Sequence, residues 1–245
     1  MHAQYQNIAT EFARAIEELV AENELSPEDI VRAFLVLGGD HGQGAFQLYF
    51  KALLVLVGFD EPVHKTKSIA EVYCAKEEGT LLDESITPWM NEDLKTIKDL
   101  RLILKRPDVP GDHRSCEWRS KASVTTGVAM EGDILPDTIL LQSADLAFTA
   151  YTLDKEGMSS KYCPYCSLTK AQWMLPVGEQ PILEPWTMPR MIAMCDDNSK
   201  KGPQKVGIKC HPKVPSMEVS GLIHPATHMG IGVNNDIVVA FEDTA

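Results

Sequence analysis

A Cys-Pro-Tyr-Cys motif at residues 163–166 is the feature that most constrains how this chain can fold. Two cysteines separated by two residues lie on one tight turn, so both thiolates can bind the same tetrahedral ion. Downstream, His224 and His228 are four residues apart, which places both imidazoles on one face of a helix. The sequence therefore predicts a structural zinc site formed by Cys163 and Cys166 with His224 and His228.

The identity of the fourth zinc ligand stays open at this point. Residues 167–223 separate the two pairs, a much longer spacing than that of a short zinc finger, so zinc would fold a whole subdomain. Cys210 and His211 are alternatives to His224, whereas Cys195 is better explained as a core thiol. The competing interpretation is a pair of buried cysteines and unrelated surface histidines.

Charge and composition restrict the function classes. The formal net charge is −12, so most of the surface repels a phosphate backbone, which argues against a self-sufficient nucleic-acid binder. The N-terminus lacks the features of a secretory signal, and no apolar stretch is long enough to span a membrane. We therefore expect a nuclear or cytoplasmic protein that is not secreted, with its six cysteines reduced or metal-bound.

Hydrophobic periodicity predicts several elements. Residues 8–24 have apolar positions at helical spacing and indicate an amphipathic helix. Two apolar runs around the glycine-rich residues 38–44 predict a hairpin, and residues 138–141 predict a buried strand with a helix after it. A further helix is predicted over residues 225–241, and no element is predicted for residues 60–135.

Two aspartates each follow one of these strand-like runs. Asp40 and Asp145 would meet if their strands are neighbours, and paired carboxylates bind the divalent ions used in phosphoryl transfer. The spacing alone is weak evidence, because Asp also caps helices and occupies turns. The simpler interpretations are a helix cap for Asp145 and a turn residue for Asp40.

The order of these motifs resembles the catalytic region of eukaryotic DDE-type transposases that carry a zinc-binding insertion. The resemblance rests on Asp-x-Gly-x-Gly at residues 40–44, Ala-Asp-Leu-Ala-Phe at 144–148, the segment 163–173, and the segment 224–235. The same order of second acid, cysteine pair and histidine pair occurs in the recombinase of antigen-receptor gene rearrangement.

The resemblance implies an α/β fold with an RNase H-like core and a zinc-organised, mostly helical insertion. In that family the first acid lies on the first strand and the second acid on the fourth, which would make Asp40 and Asp145 the first two acids. Glu242 is the candidate third acid, although the family's glutamate usually lies well beyond the histidines. Zinc would be structural, and Mg²⁺ or Mn²⁺ would be the catalytic ion.

We accordingly expect an N-terminal helical segment over residues 1–30, a core portion over 31–156, and the insertion with its following helix over 157–245. The expected function is metal-dependent DNA strand cleavage and transfer by a transposase core or a fragment of one. DNA would be the partner, gripped by regions absent from this chain, with no membrane contact and with a homo-oligomer allowed.

Two alternatives remain for the function. One is a catalytically inactive zinc-stabilised interaction module or domesticated transposon remnant. The other is a zinc-containing nuclease of the His-metal-finger type, with His228 as base and Asn235 orienting it.

Overall fold

A computed structural model describes most of the chain as short helices around two β-sheets. The described residues are 4–42, 45–73, 79–105, 114–125, 132–144, 146–156, 162–173, 175–176, 178–182 and 184–223. The strands are β1 (Gln4–Tyr5), β2 (Ile30–Gly42), β3 (Ala45–Leu56), β4 (Val63–Tyr73), β5 (Leu100–Lys105), β6 (Cys116–Ser120), β7 (Gly132–Ile134), β8 (Thr138–Ser143) and β9 (Leu222–Ile223). The α-helices are α1 (Ile8–Glu22), α2 (Gly79–Ser85), α3 (Thr87–Asp99), α4 (Lys121–Thr125), α5 (Leu146–Thr152), α6 (Lys170–Trp173) and α7 (Met188–Asp196). Short 3-10 helices occupy Pro27–Asp29, Gly202–Lys205 and Val219–Gly221.

The main sheet has six strands in the order β1-β4-β3-β2-β8-β9. The neighbours from β1 to β2 pair antiparallel, whereas β8 pairs parallel with β2 and β9 pairs parallel with β8. The chain is therefore a mixed α/β protein. The predicted hairpin is confirmed as β2 and β3, and the predicted strand before a helix is confirmed as β8 and α5.

One face of this sheet is buried by helices. In β3 the even-numbered side chains from Phe46 to Leu56 are buried, whereas the odd-numbered ones from Gln47 to Val55 are exposed or half-buried. Helix α1 packs on the buried face, where the rings of Phe12 and Phe50 lie 6.0 Å apart in an edge-to-face contact.

Helix α1 confirms the predicted amphipathic helix and its apolar face. Asn7 caps it, accepting a hydrogen bond from the Thr10 backbone N–H at 2.8 Å. The apolar positions at helical spacing are all buried, namely Ile8, Phe12, Ala15, Ile16, Leu19 and Val20. On its other side, Glu18 binds both Lys65 and Lys67 of β4 at 2.8 Å.

A buried carboxylate on α3 fixes the start of α1. Asp93 accepts hydrogen bonds from the Tyr5 hydroxyl at 2.6 Å and from the Ile8 backbone N–H at 2.7 Å, and a third from the Asn7 amide. Burial raises the pKa of the Asp93 carboxyl, and these hydrogen bonds oppose that rise. Asp93 thus satisfies a helix N-terminus that would otherwise be unpaired in the core.

The smaller sheet has the order β6-β5-β7 and is antiparallel throughout. Trp118 of β6 stacks on Phe12 at 6.2 Å, and its indole N–H donates to the Ala9 carbonyl oxygen at 3.0 Å. Helix α1 is therefore held between the two sheets. No helix among the described residues is long and apolar enough to cross a bilayer.

A close contact between β2 and α5 gives a test of this packing. A Cβ built on Gly39 would lie 2.8 Å from the Phe148 ring, closer than real Cβ contacts. We predict that Gly39→Ala lowers the free energy of unfolding by about 1–3 kcal/mol, measured by urea denaturation.

The smaller, non-aromatic side chain in a Phe148→Leu background should relieve that clash. The double variant should therefore be more stable than the sum of the two single effects by at least about 0.5 kcal/mol. Strict additivity would contradict the contact.

Candidate functional site

Strand β2 runs parallel to β8 over residues 33–37, and β2 then continues to Gly42 whereas β8 ends at Ser143. The parallel register pairs Leu37 with Gln142, the last printed pair along the two strands. Asp40 is three residues beyond Leu37, near the end of β2, and its side chain is exposed. Position 145 is likewise three residues beyond Gln142, but Asp145 lies outside the described residues.

The residues before Asp40 allow α5 to pack tightly beneath this end of the sheet. Gly39 has no side chain, so the Phe148 ring can approach the β2 backbone. Phe148 also contacts Phe46 of β3, with ring centroids 5.2 Å apart. The Phe148 ring therefore packs against β2 one residue before Asp40.

A buried amide lies on β8 opposite Leu37 of β2. Gln142 is 1% exposed, and its Nε2 donates to the hydroxyl of Thr152 at 3.2 Å and more weakly to that of Thr149 at 3.5 Å. Its carbonyl oxygen has no hydrogen-bond partner among the described residues. These polar contacts link the end of β8 to α5.

The cysteine motif forms a tight hairpin. Tyr162 and Thr169 form an antiparallel bridge, and the Cys163 N–H donates to the Leu168 carbonyl oxygen at 3.0 Å. The Trp186 N–H donates to the Tyr165 carbonyl oxygen at 2.8 Å. The segment that carries Trp186 therefore holds the turn in place through this backbone hydrogen bond.

The two thiols lie close together on the turn. Each is near enough to affect the other, and the Leu168 backbone N–H lies near the Cys166 sulfur. Burial raises the pKa of the Cys166 thiol, the Leu168 N–H lowers it, and the contact with Cys163 raises it further. Two adjacent sulfurs with an N–H near one of them form half of a tetrahedral thiolate site.

A buried lysine lies beside this hairpin. Lys155 is 4% exposed, its Nζ donates to the Cys163 carbonyl oxygen at 2.7 Å, and it lies 5.1 Å from the Trp186 ring centroid. Burial lowers the pKa of Lys155 to about 8, and the charges of Cys163 and Cys166 oppose that shift. Deprotonated sulfurs would therefore favour the charged ammonium beside them.

The remaining predicted site residues divide into two groups. His224, His228 and Glu242 lie outside the described residues, as does Asp145. Cys210 and His211 are described, and both are exposed.

His211 belongs to a different cluster, which sequence reasoning missed. The ligand atoms of Cys195, Asp196 and His211 all lie within 4.8 Å of one another. Within the described part of the chain they form the one group of three or more metal-ligating side chains at that spacing. The sequence signal was a Cys-Asp pair followed by a Cys-His pair, with no fixed spacing of a known motif.

Comparisons with known proteins add no relative. No protein-family model matches the chain, and neither a curated protein nor a solved structure matches it. Any statement of function therefore depends on the residues and geometry described above.

The burial of the cysteines predicts their order of reactivity. Burial, with the charge of Glu17 adding to it, raises the pKa of Cys116 to about 12, whereas Cys210 is exposed. At pH 8 the small thiolate fraction should make iodoacetamide label Cys116 at least about tenfold more slowly than Cys210. Timed labelling of the metal-free protein, followed by peptide mass spectrometry, measures both rates.

Labelling in urea provides the control, since both cysteines should then react at similar rates. Equal rates in the folded protein would contradict the packing of Cys116 between β5 and α1.

Proposed function

We propose that this chain is the catalytic core of a DDE-type DNA transposase, or a part of it, that cleaves and transfers DNA strands. The observation that carries the proposal is the parallel pairing of β2 with β8. That pairing gives Asp40 and position 145 the same three-residue offset from the paired residues Leu37 and Gln142. An acid at the same sequence offset from each of two paired strands is consistent with the arrangement that the motif order implied.

The chain order of the strands supports an RNase H-like core. Apart from the two-residue edge strand β1, the strands of the main sheet follow in the order β2, β3, β4, β8 and β9. The first acid of the resembled family lies on the first strand and the second acid on the fourth. Here Asp40 lies on the first long strand, and in the sequence Asp145 comes two residues after the end of the fourth.

The proposed chemistry is phosphodiester cleavage assisted by divalent ions. Magnesium and manganese prefer carboxylate oxygens, which Asp40 and Asp145 would supply, with Glu242 as the candidate third acid. Ions bound there supply a stronger nucleophile and a stabilised leaving oxygen. The exposed position of Asp40 leaves its carboxylate open to a large substrate such as DNA.

The cysteine hairpin is proposed to hold a structural zinc ion. Cys163 and Cys166 would provide two of the four ligands, because the two-residue spacing places both thiols on one tight hairpin. His228 and His224 are the proposed partners that complete the site. Zinc would then tie residues near the second acid to the segment beyond β9.

The net charge of −12 bears on how DNA would be bound. A surface that repels phosphate gives little affinity by itself, so tight and specific DNA binding is proposed to need basic surfaces from elsewhere. The function is proposed to be carried out in the nucleus, where a eukaryotic DNA substrate lies.

Manganese binding and plasmid nicking test the proposal together. We predict that the full chain binds Mn²⁺, and that Asp40→Asn and Asp145→Asn each weaken binding by about tenfold or more. Nicking of supercoiled plasmid in Mn²⁺ should be lost in both variants. Isothermal titration calorimetry and gel electrophoresis give the two readouts.

Asp60→Asn is the matched control, because Asp60 is an exposed aspartate in the β3–β4 connection. It should bind Mn²⁺ and nick DNA as the parent does. Unchanged Mn²⁺ affinity in Asp40→Asn and Asp145→Asn would exclude the paired-acid site. Binding without nicking would favour the inactive interaction module instead.

A further inference from the structure

The region from α5 to β9 has a small core of its own. Among the described residues, its buried apolar side chains form one cluster: Leu153, Trp186, Met188, Met191, Ile208 and Val219. Between α5 and β9, the helices among the described residues are α6, α7 and short 3-10 helices. A core of this size supplies little stability, and small units of this kind are usually held by a metal or by disulfides.

Two segments of this region meet at the end of α7. Cys195 and Asp196 are the last residues of α7, and His211 comes from the segment after the Gly202–Lys205 helix. The Asp196 carboxylate and the His211 Nε2 are 2.7 Å apart. The three ligand atoms, including the Cys195 sulfur, lie within 4.8 Å of one another.

Both segments are anchored independently of this contact. Thr187 caps α7 through the Arg190 N–H, and the Lys205 Nζ donates to the Cys195 carbonyl oxygen at 2.7 Å. On the other segment, the Lys209 N–H donates to the Asp154 carbonyl oxygen at 3.0 Å. The ligand side chains are therefore brought together by backbone that is already fixed.

We propose that Cys195, Asp196 and His211 bind a zinc-type divalent ion, which leaves a fourth position open to solvent. A thiolate, an imidazole and a carboxylate are the donors that zinc accepts in tetrahedral sites. This site is distinct from the cysteine hairpin, since neither Cys163 nor Cys166 belongs to the group. It does not depend on the proposed transposase function.

The geometry needs only small side-chain movements to close. Bond lengths of about 2.0–2.3 Å place tetrahedral ligand atoms roughly 3.3–3.8 Å apart, somewhat closer than the present limit of 4.8 Å. The side chains of His211 and Asp196 are 57% and 62% exposed, so both can rotate without disturbing the core.

Zinc content of the full chain tests this site. Protein purified with zinc present is analysed by elemental mass spectrometry, as the parent and as the variants His211→Ala, Cys195→Ser and Asp197→Asn. His211→Ala and Cys195→Ser should each lose one equivalent of zinc relative to the parent. Asp197→Asn is the matched control, since Asp197 bonds to Ser199 next to the site, and it should keep the full content.

The exposed His211 gives the cleanest variant, because its replacement leaves the core untouched; circular dichroism confirms folding. Titration with Co²⁺ gives a second readout, and the thiolate-to-cobalt absorption of this site should disappear in Cys195→Ser. A parent without zinc, or equal zinc in the parent and His211→Ala, would overturn the proposal.

A Cys163→Ser variant separates this proposal from the zinc site of the hairpin. Two equivalents in the parent, one lost in each variant, would support both sites. One equivalent lost only in His211→Ala would support this site and exclude the hairpin. One equivalent lost only in Cys163→Ser would exclude this site and leave the hairpin as proposed.

Discussion

The parallel pairing of β2 with β8 is the contact on which the arrangement of this protein depends. These strands are about a hundred residues apart in sequence, yet they form neighbouring strands of the sheet. Everything between them, including β3, β4, the helices α2 and α3 and the smaller sheet, must therefore return the chain to the same place. The pairing makes β2 a buried central strand in which Leu35 and Leu37 are fully enclosed, and burial of these apolar side chains stabilises the fold.

The region after α5 is attached to that framework by a polar network. Asp83 of α2 accepts a hydrogen bond from the Tyr151 hydroxyl at 2.7 Å and pairs with Lys213. The Lys213 ammonium lies 4.8 Å from the Tyr151 ring centroid. The Lys213 backbone carbonyl oxygen accepts a hydrogen bond from the Asn91 side-chain amide at 2.6 Å. Burial raises the pKa of the Tyr151 hydroxyl, which stays neutral and donates to the carboxylate.

This network gives the two proposed zinc sites a defined relation to the sheet. The segment that carries His211 continues directly to Lys213, and the hairpin of Cys163 is fixed to α5 through Lys155. Both segments are thus tied to the chain around α5, whose Phe148 packs against Gly39 of β2. Metal binding in this region would stabilise the surroundings of the acids without touching them.

The predictable parts of the fold are those with strong local patterns. Helix α1 and the β2–β3 hairpin could be predicted because apolar residues recur at periods of 3.6 and 2. Strand β4 could not, since its face toward α1 carries Lys65 and Lys67, whose partner Glu18 lies far away in sequence. A strand whose inward side chains form ion pairs lacks the alternating apolar pattern that would predict it from sequence.

The candidate sites divide in the same way. The Cys163 and Cys166 hairpin follows from a two-residue spacing that is readable in any sequence. The cluster of Cys195 and His211 depends on tertiary structure, because only the folded chain brings the end of α7 to the later segment. The parallel register of β2 and β8 also depends on tertiary structure. The proposed role of Asp40 rests on that register.

A crystal of the full chain soaked in Mn²⁺ tests the central claim most directly, through anomalous diffraction at the manganese edge. The account predicts at least one manganese peak bound jointly by the carboxylates of Asp40 and Asp145, with a second ion about 4 Å away if both sites fill. Carboxylates too far apart to share an ion, or manganese bound only elsewhere on the surface, would contradict it.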